Sequence, residues 1–141
     1  TGTLCDKNGR GPLAFDLGPS HFAGAKRLDR AAELYTEVDA LLAPLDVGDG
    51  DTALEACVDR ATAALNLGRT ETDRGNGEAA CQALLRSLAQ LERVRALRLR
   101  PQDAQVESLR TSWARLVERF APDSPTREDF ARRSGALDAP L

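Results

Sequence analysis

The chain has 141 residues and a mass of 15.2 kDa; 42% of its residues are hydrophobic and 29% are charged. That is the size and make-up of one folded domain with its own core, and it excludes a disordered chain. No apolar run is long enough for a membrane-spanning helix, and a net charge of −3 with a pI near 5.2 argues against a nucleic-acid binder, which needs a concentrated basic surface.

Leu and Ala dominate the apolar residues, Ile and Met are absent, and there are four Phe, one Tyr and one Trp. Leu and Ala are strong helix formers, whereas β-branched and aromatic residues favour strands, so an all-α fold is expected. Arg outnumbers Lys 17 to 2, a ratio that compositional bias of the genome explains without a ligand. Charge is segregated. Residues 29–59 carry nine acids and one base, while residues 86–119 carry eight Arg and four acids. Oppositely charged helices lying side by side account for that pattern.

Residues 1–19 form a Gly-rich stretch that also holds Pro12 and Pro19, and they read as an irregular N-terminal arm. Within it, Asp6, Asn8, Gly11 and Leu13 resemble the start of an EF-hand calcium loop. Arg10 occupies a ligand place there, and Leu17 stands where a closing Glu is needed. A glycine-rich turn is the better reading.

The bundle proper is placed at 20–135. Ser20 is expected to cap a first helix whose apolar stripe is Phe22, Leu28, Ala31, Tyr35, Val38, Leu42 and Leu45. Pro44 and the glycines at 48 and 50 stop it. Thr52 and Glu55 fit a capping box for a second helix carrying Leu54, Cys57, Val58, Ala61 and Leu65. That helix is expected to end at Gly68, ahead of a polar loop at 69–77. The third helix runs from about 77 to 100 with Cys81, Leu84, Leu85, Leu88, Leu91, Val94 and Leu97 on one face, and Pro101 ends it. The fourth, about 103–121 with Asp103 as cap, has the cleanest stripe: Val106, Leu109, Trp113, Leu116, Val117 and Phe120. Pro125 opens a short fifth helix anchored by Phe130 and ended by Gly135, and residues 136–141 are expected to fray. The architecture read from this is an antiparallel bundle of four main helices with a short fifth C-terminal helix.

Few residues point to chemistry. Three cysteines, Cys5, Cys57 and Cys81, are disulfide candidates. An even hairpin between the second and third helices offsets Cys57 from Cys81 by about 9 Å along the axis, beyond bonding reach. Cys5 with either of them therefore ranks ahead of that pair, and three idle thiols is the remaining reading. The odd count and the missing initiator Met suggest the mature form of a processed precursor or an excised piece, leaning towards an extracytoplasmic setting. No Cys-x-x-Cys exists, and a single His, His21 at a helix start, cannot complete a zinc set. Arg93, Arg95, Arg98 and Arg100 suit the negative end of a helix and spread around its circumference.

The run Leu45-Asp46…Gly48-Asp49-Gly50-Asp51 resembles a signature of the nucleotide-binding subunit of dihydroxyacetone kinases, an all-helical family. The resemblance covers about seven residues. It implies that Asp46, Asp49 and Asp51 hold magnesium against nucleotide phosphates. Asp46 sits two residues too close to the other pair, and no later Gly-Ser-rich segment follows. An acidic turn at a helix N-terminus, favoured by the dipole, is the competing and preferred reading. Function is therefore expected to be non-enzymatic: a helical protein-binding or assembly module whose partner is another protein or a second copy, requiring no cofactor. A subunit binding a divalent metal (Mg or Ca) or phosphate through Asp46, Asp49 and Asp51 is the alternative.

Overall fold

The computed structural model describes residues 19–120 and 124–141. The arm at 1–18, with Cys5 and the EF-hand-like loop, lies outside the described residues. Among those described the fold is all-α: α1 (Pro19–Leu42), a 3-10 turn (Ala43–Leu45), α2 (Asp51–Asp73), α3 (Gly77–Ala96), α4 (Asp103–Arg119) and α5 (Ser124–Ala136), with no strand.

Cross-helix contacts fix the directions. Asp29 of α1 meets Arg74 and Asp39 meets Arg60, so α1 and α2 run antiparallel. The Cys57 thiol donates to Gln90 and the Ser87 hydroxyl to the Ala61 carbonyl, which makes α2 and α3 antiparallel. Gln105 of α4 reaches Thr62 and Arg115 reaches Asp73; α4 is therefore parallel to α2. Trp113 stacks on Phe130 while Arg110 reaches the Ser134 carbonyl, turning α5 back along α4. The bundle is antiparallel from one helix to the next.

The core lies between α2, α3, α4 and α5. Leu84, Leu88, Leu91, Leu109 and Leu116 are wholly buried there, each worth about 1.5–3 kcal/mol over the exposed state. The α3 and α4 stripes match the sequence pattern. Helix α2 is buried on most of its circumference by small residues, including Ala53, Ala56, Ala61, Ala63 and Ala64, because it alone packs against α1, α3 and α4. Its charged residues Asp51, Glu55, Asp59 and Arg69 keep to the remaining strip, which is exposed.

Several expected boundaries differ. Helix α2 does not stop at Gly68 but continues to Asp73. Gly68 is there for close packing: a Cβ on it would lie 2.6 Å from the Leu84 side chain. Thr70 and Thr72 stay helical in a buried setting because their hydroxyls donate to the carbonyls of Asn66 and Gly68. The polar loop shrinks to residues 74–76, where Gly75 takes φ +82°. At the other end of α2 the N-cap is Gly50, with no side-chain cap, so the Thr52–Glu55 box does not form. Helix α3 ends at Ala96, before Pro101, and Arg98 adopts φ +67°. The N-cap of α4 is Gln102 rather than Asp103. The C-terminal residues are tied down: Leu137 is buried in the core, Arg95 donates to the carbonyls of Leu137 and Pro140, and Arg110 pairs with Asp138.

Candidate functional site

The turn joining α1 to α2 holds the acidic cluster. Gly48, at φ +79°, reverses the chain, and the Asp46 carboxylate points inward with its side chain only 2% exposed. Both of its oxygens are engaged: Arg60 Nη1 donates to Oδ2 at 2.9 Å and Arg93 Nε to Oδ1 at 2.7 Å. Arg60 Nε donates as well to Asp39 Oδ1 at 2.8 Å, and Arg93 Nη2 to the Gly48 carbonyl at 2.7 Å. These hydrogen bonds, to Asp39 first for Arg60 and to Asp46 for Arg93, raise both guanidinium pKa values. The result is a chain of charge-assisted bonds joining α1, the turn, α2 and α3.

The three aspartates singled out as metal ligands thus take different positions. Asp46 faces two arginines, whereas Asp49 and Asp51 are exposed, and Asp51 lies in the first turn of α2. Among the described residues no three His, Cys, Asp or Glu side chains form a group able to hold a metal ion. Arg60 and Arg93, which organise the turn, carry no motif in the sequence; the segregation of acid into 29–59 and of base into 86–119 was the one signal that the turn meets α3, and Arg60 lies outside both segments.

Cys57 and Cys81 are free thiols. Because α2 extends to Asp73, Cys57 sits level with Gln90, well beyond Cys81 along α3. Burial and then the Asp46 charge push the Cys57 thiol up to about 11, so it is a protonated, packed group rather than a nucleophile. Burial followed by Glu78 likewise raises Cys81. The arginine run disperses: Arg93 to Asp46, Arg95 to C-terminal carbonyls, Arg100 to Asp103.

The least expected surface belongs to α1. Among the described residues this helix packs on α2 and the 3-10 turn, through a stripe containing Leu28, Ala32, Tyr35 and Leu42. A second apolar stripe, Leu34, Val38, Leu41 and Leu45, is exposed, Leu41 at 75%, and Val47 extends it at 69%. The steps of four, three and four residues keep these side chains in one row. The sequence pattern counted Val38 and Leu45 as core and passed over Leu34 and Leu41. Two stripes displaced by one residue blur into a single broad apolar face when only periodicity is used.

No protein-family model matches the chain, and searches of curated proteins and of solved structures return no match. No helix is long and apolar enough to cross a membrane among the described residues.

Proposed function

We propose that this chain is a non-enzymatic helical module that binds another protein through the exposed stripe of α1. The supporting observation is the row Leu34, Val38 and Leu41 of α1, continued by Leu45 of the 3-10 turn; among the described residues α1 has one helical neighbour, α2. Contiguous exposed apolar surface is costly in water and marks interaction sites, and a row at this spacing suits a helix or groove of matching shape. The network around Asp46 supports the same reading in a different way. It fixes the C-terminal end of α1 to α2 and α3, so the stripe is presented on a rigid element, which lowers the ordering cost of binding.

The test compares the full chain with its Leu41→Glu variant as bait for cross-linking and identification of captured proteins. A defined partner taken by the wild type and lost by the variant supports the reading; identical captures sink it. The exposure of Asp49 and Asp51, which have no ion-pair partner among the described residues, keeps the metal or phosphate alternative open to a direct test. Calorimetry with magnesium, calcium and nucleotide decides it, since silence in all three rejects it.

A further inference from the structure

We infer that the partner seated on α1 is the α1 of a second copy, running antiparallel to the first. This rests on the protein-binding reading above and deepens it. The argument is charge complementarity along the stripe. At its N-terminal side α1 exposes Lys26, Arg27 and Arg30. Lys26 and Arg27 have no ion-pair partner among the described residues, and Arg30 has only an exposed contact with Glu33 at 3.1 Å, which contributes little. Beyond its C-terminal side the chain exposes Asp49, Asp51 and Glu55, likewise without ion-pair partners among the described residues. The stripe is therefore basic at one end and acidic at the other.

A two-fold axis between Val38 and Leu41 sets Leu34 of one copy against Leu45 of the other, and Val38 against Leu41. All four side chains of the row are then covered in a self-complementary interface. The same axis carries Arg27 and Arg30 of each copy towards Asp49 and Asp51 of its mate. A parallel pair would oppose acid to acid and base to base. Spacing of four, three and four residues is the knobs-into-holes repeat of a short two-helix seam. Leu45, the last residue of the 3-10 turn that carries Pro44, closes that seam just before the acidic turn begins.

Sedimentation equilibrium on the full chain, at low and high salt, tests this. A dimer is expected that loosens with salt and weakens about tenfold or more in Leu41→Glu, with the helical circular dichroism and thermal transition of that variant unchanged. Replacing Arg27 and Arg30 by Glu in one chain, or Asp49 and Asp51 by Lys in another, should weaken each dimer, and mixing the two chains should restore association. A wild-type monomer at high concentration overturns the inference, as does a dimer indifferent to Leu41→Glu. A dimer sensitive to Leu41→Glu but unmoved by either charge reversal overturns the antiparallel pairing. The two readings separate cleanly. A wild-type monomer that still loses a defined foreign partner on Leu41→Glu sinks self-pairing and leaves protein binding standing, whereas a monomer with no such partner sinks both.

Discussion

Arg93 of α3 donates its Nε hydrogen to Asp46 at 2.7 Å, across 47 positions of sequence, and Asp46 returns its second oxygen to Arg60 of α2 at 2.9 Å. One nearly buried carboxylate thus balances two guanidiniums that keep contact with solvent. Removing the carboxylate leaves Arg60 with Asp39 and Arg93 with the Gly48 carbonyl, two cations no longer bridged. Asp46→Ala should therefore cost about 2–3 kcal/mol, below the full penalty for breaking a wholly buried pair because both arginines can recover water. The check is the urea midpoint, with Arg93→Gln and the double variant completing a cycle. Additive losses would show that the two residues are not coupled.

Much of this fold was legible because Leu-rich stripes on α3 and α4 face one core in one direction. The stripe on α4 gave Val106, Leu109, Trp113, Leu116, Val117 and Phe120; the first five are buried, and Phe120 is partly buried against the same core. Two other regions misled for opposite reasons. Gly68 signals a helix end in sequence, but its missing side chain serves Leu84 of the next helix, a long-range fact invisible to local pattern. On α1, apolar residues cover two adjacent faces, and periodicity alone does not say which of them a neighbour covers. The acidic turn was found by motif, yet the arginines that turn Asp46 inward lie 14 and 47 residues away.

Two glycines make a paired prediction. At Gly68 an added Cβ would lie 2.6 Å from Cγ and Cδ2 of Leu84, which is wholly buried and has nowhere to swing. Gly68→Ala should lose about 1–3 kcal/mol from overpacking, even though alanine gains up to about 1 kcal/mol in helix propensity. At Gly135 nothing lies within 4 Å of the same added atom. Gly135→Ala, in the last turn of α5, should gain about 0.5 kcal/mol. Thermal melts of the two variants should move in opposite directions, and a shared direction would contradict the α2–α3 packing described.

The thiol of Cys57 makes stability fall at alkaline pH. Its pKa is pushed up to about 11 from an ordinary 9.0, by burial first and the Asp46 charge second, so folding favours the protonated form. Below the ordinary value both states hold the proton and the contribution is constant. As pH rises from 9 to about 11, the unfolded chain releases its proton while the folded one keeps it, and stability drops by up to about 2–3 kcal/mol. Cys57→Ser does not titrate in this window. The difference in unfolding free energy between wild type and variant should be flat up to pH 9 and then shrink; Cys81 cancels, being common to both. A difference that stays constant to pH 11 would remove Cys57 as the cause.

Helix α5 is short, polar and held mainly by one aromatic contact. Phe130, 3% exposed, lies on Trp113 with ring centroids 4.2 Å apart and planes within 4°. The other attachments are at its far end, where Arg133 grips Glu92 of α3 through two hydrogen bonds and Leu137 enters the core. Phe130→Ala removes the ring that covers the indole and opens a cavity in the core cluster they share. A loss of about 3 kcal/mol is expected. Trp113 is the chain's single tryptophan, so its emission reports the event directly: it should shift to the red as water reaches the indole, while most of the helical signal from α1 to α4 persists. Arg133→Gln, which removes the Glu92 pair but leaves the stack, should lower stability by a smaller amount and leave the emission maximum where it was. If Arg133→Gln shifts the emission as much as Phe130→Ala does, the ion pair rather than the aromatic stack holds α5 in place.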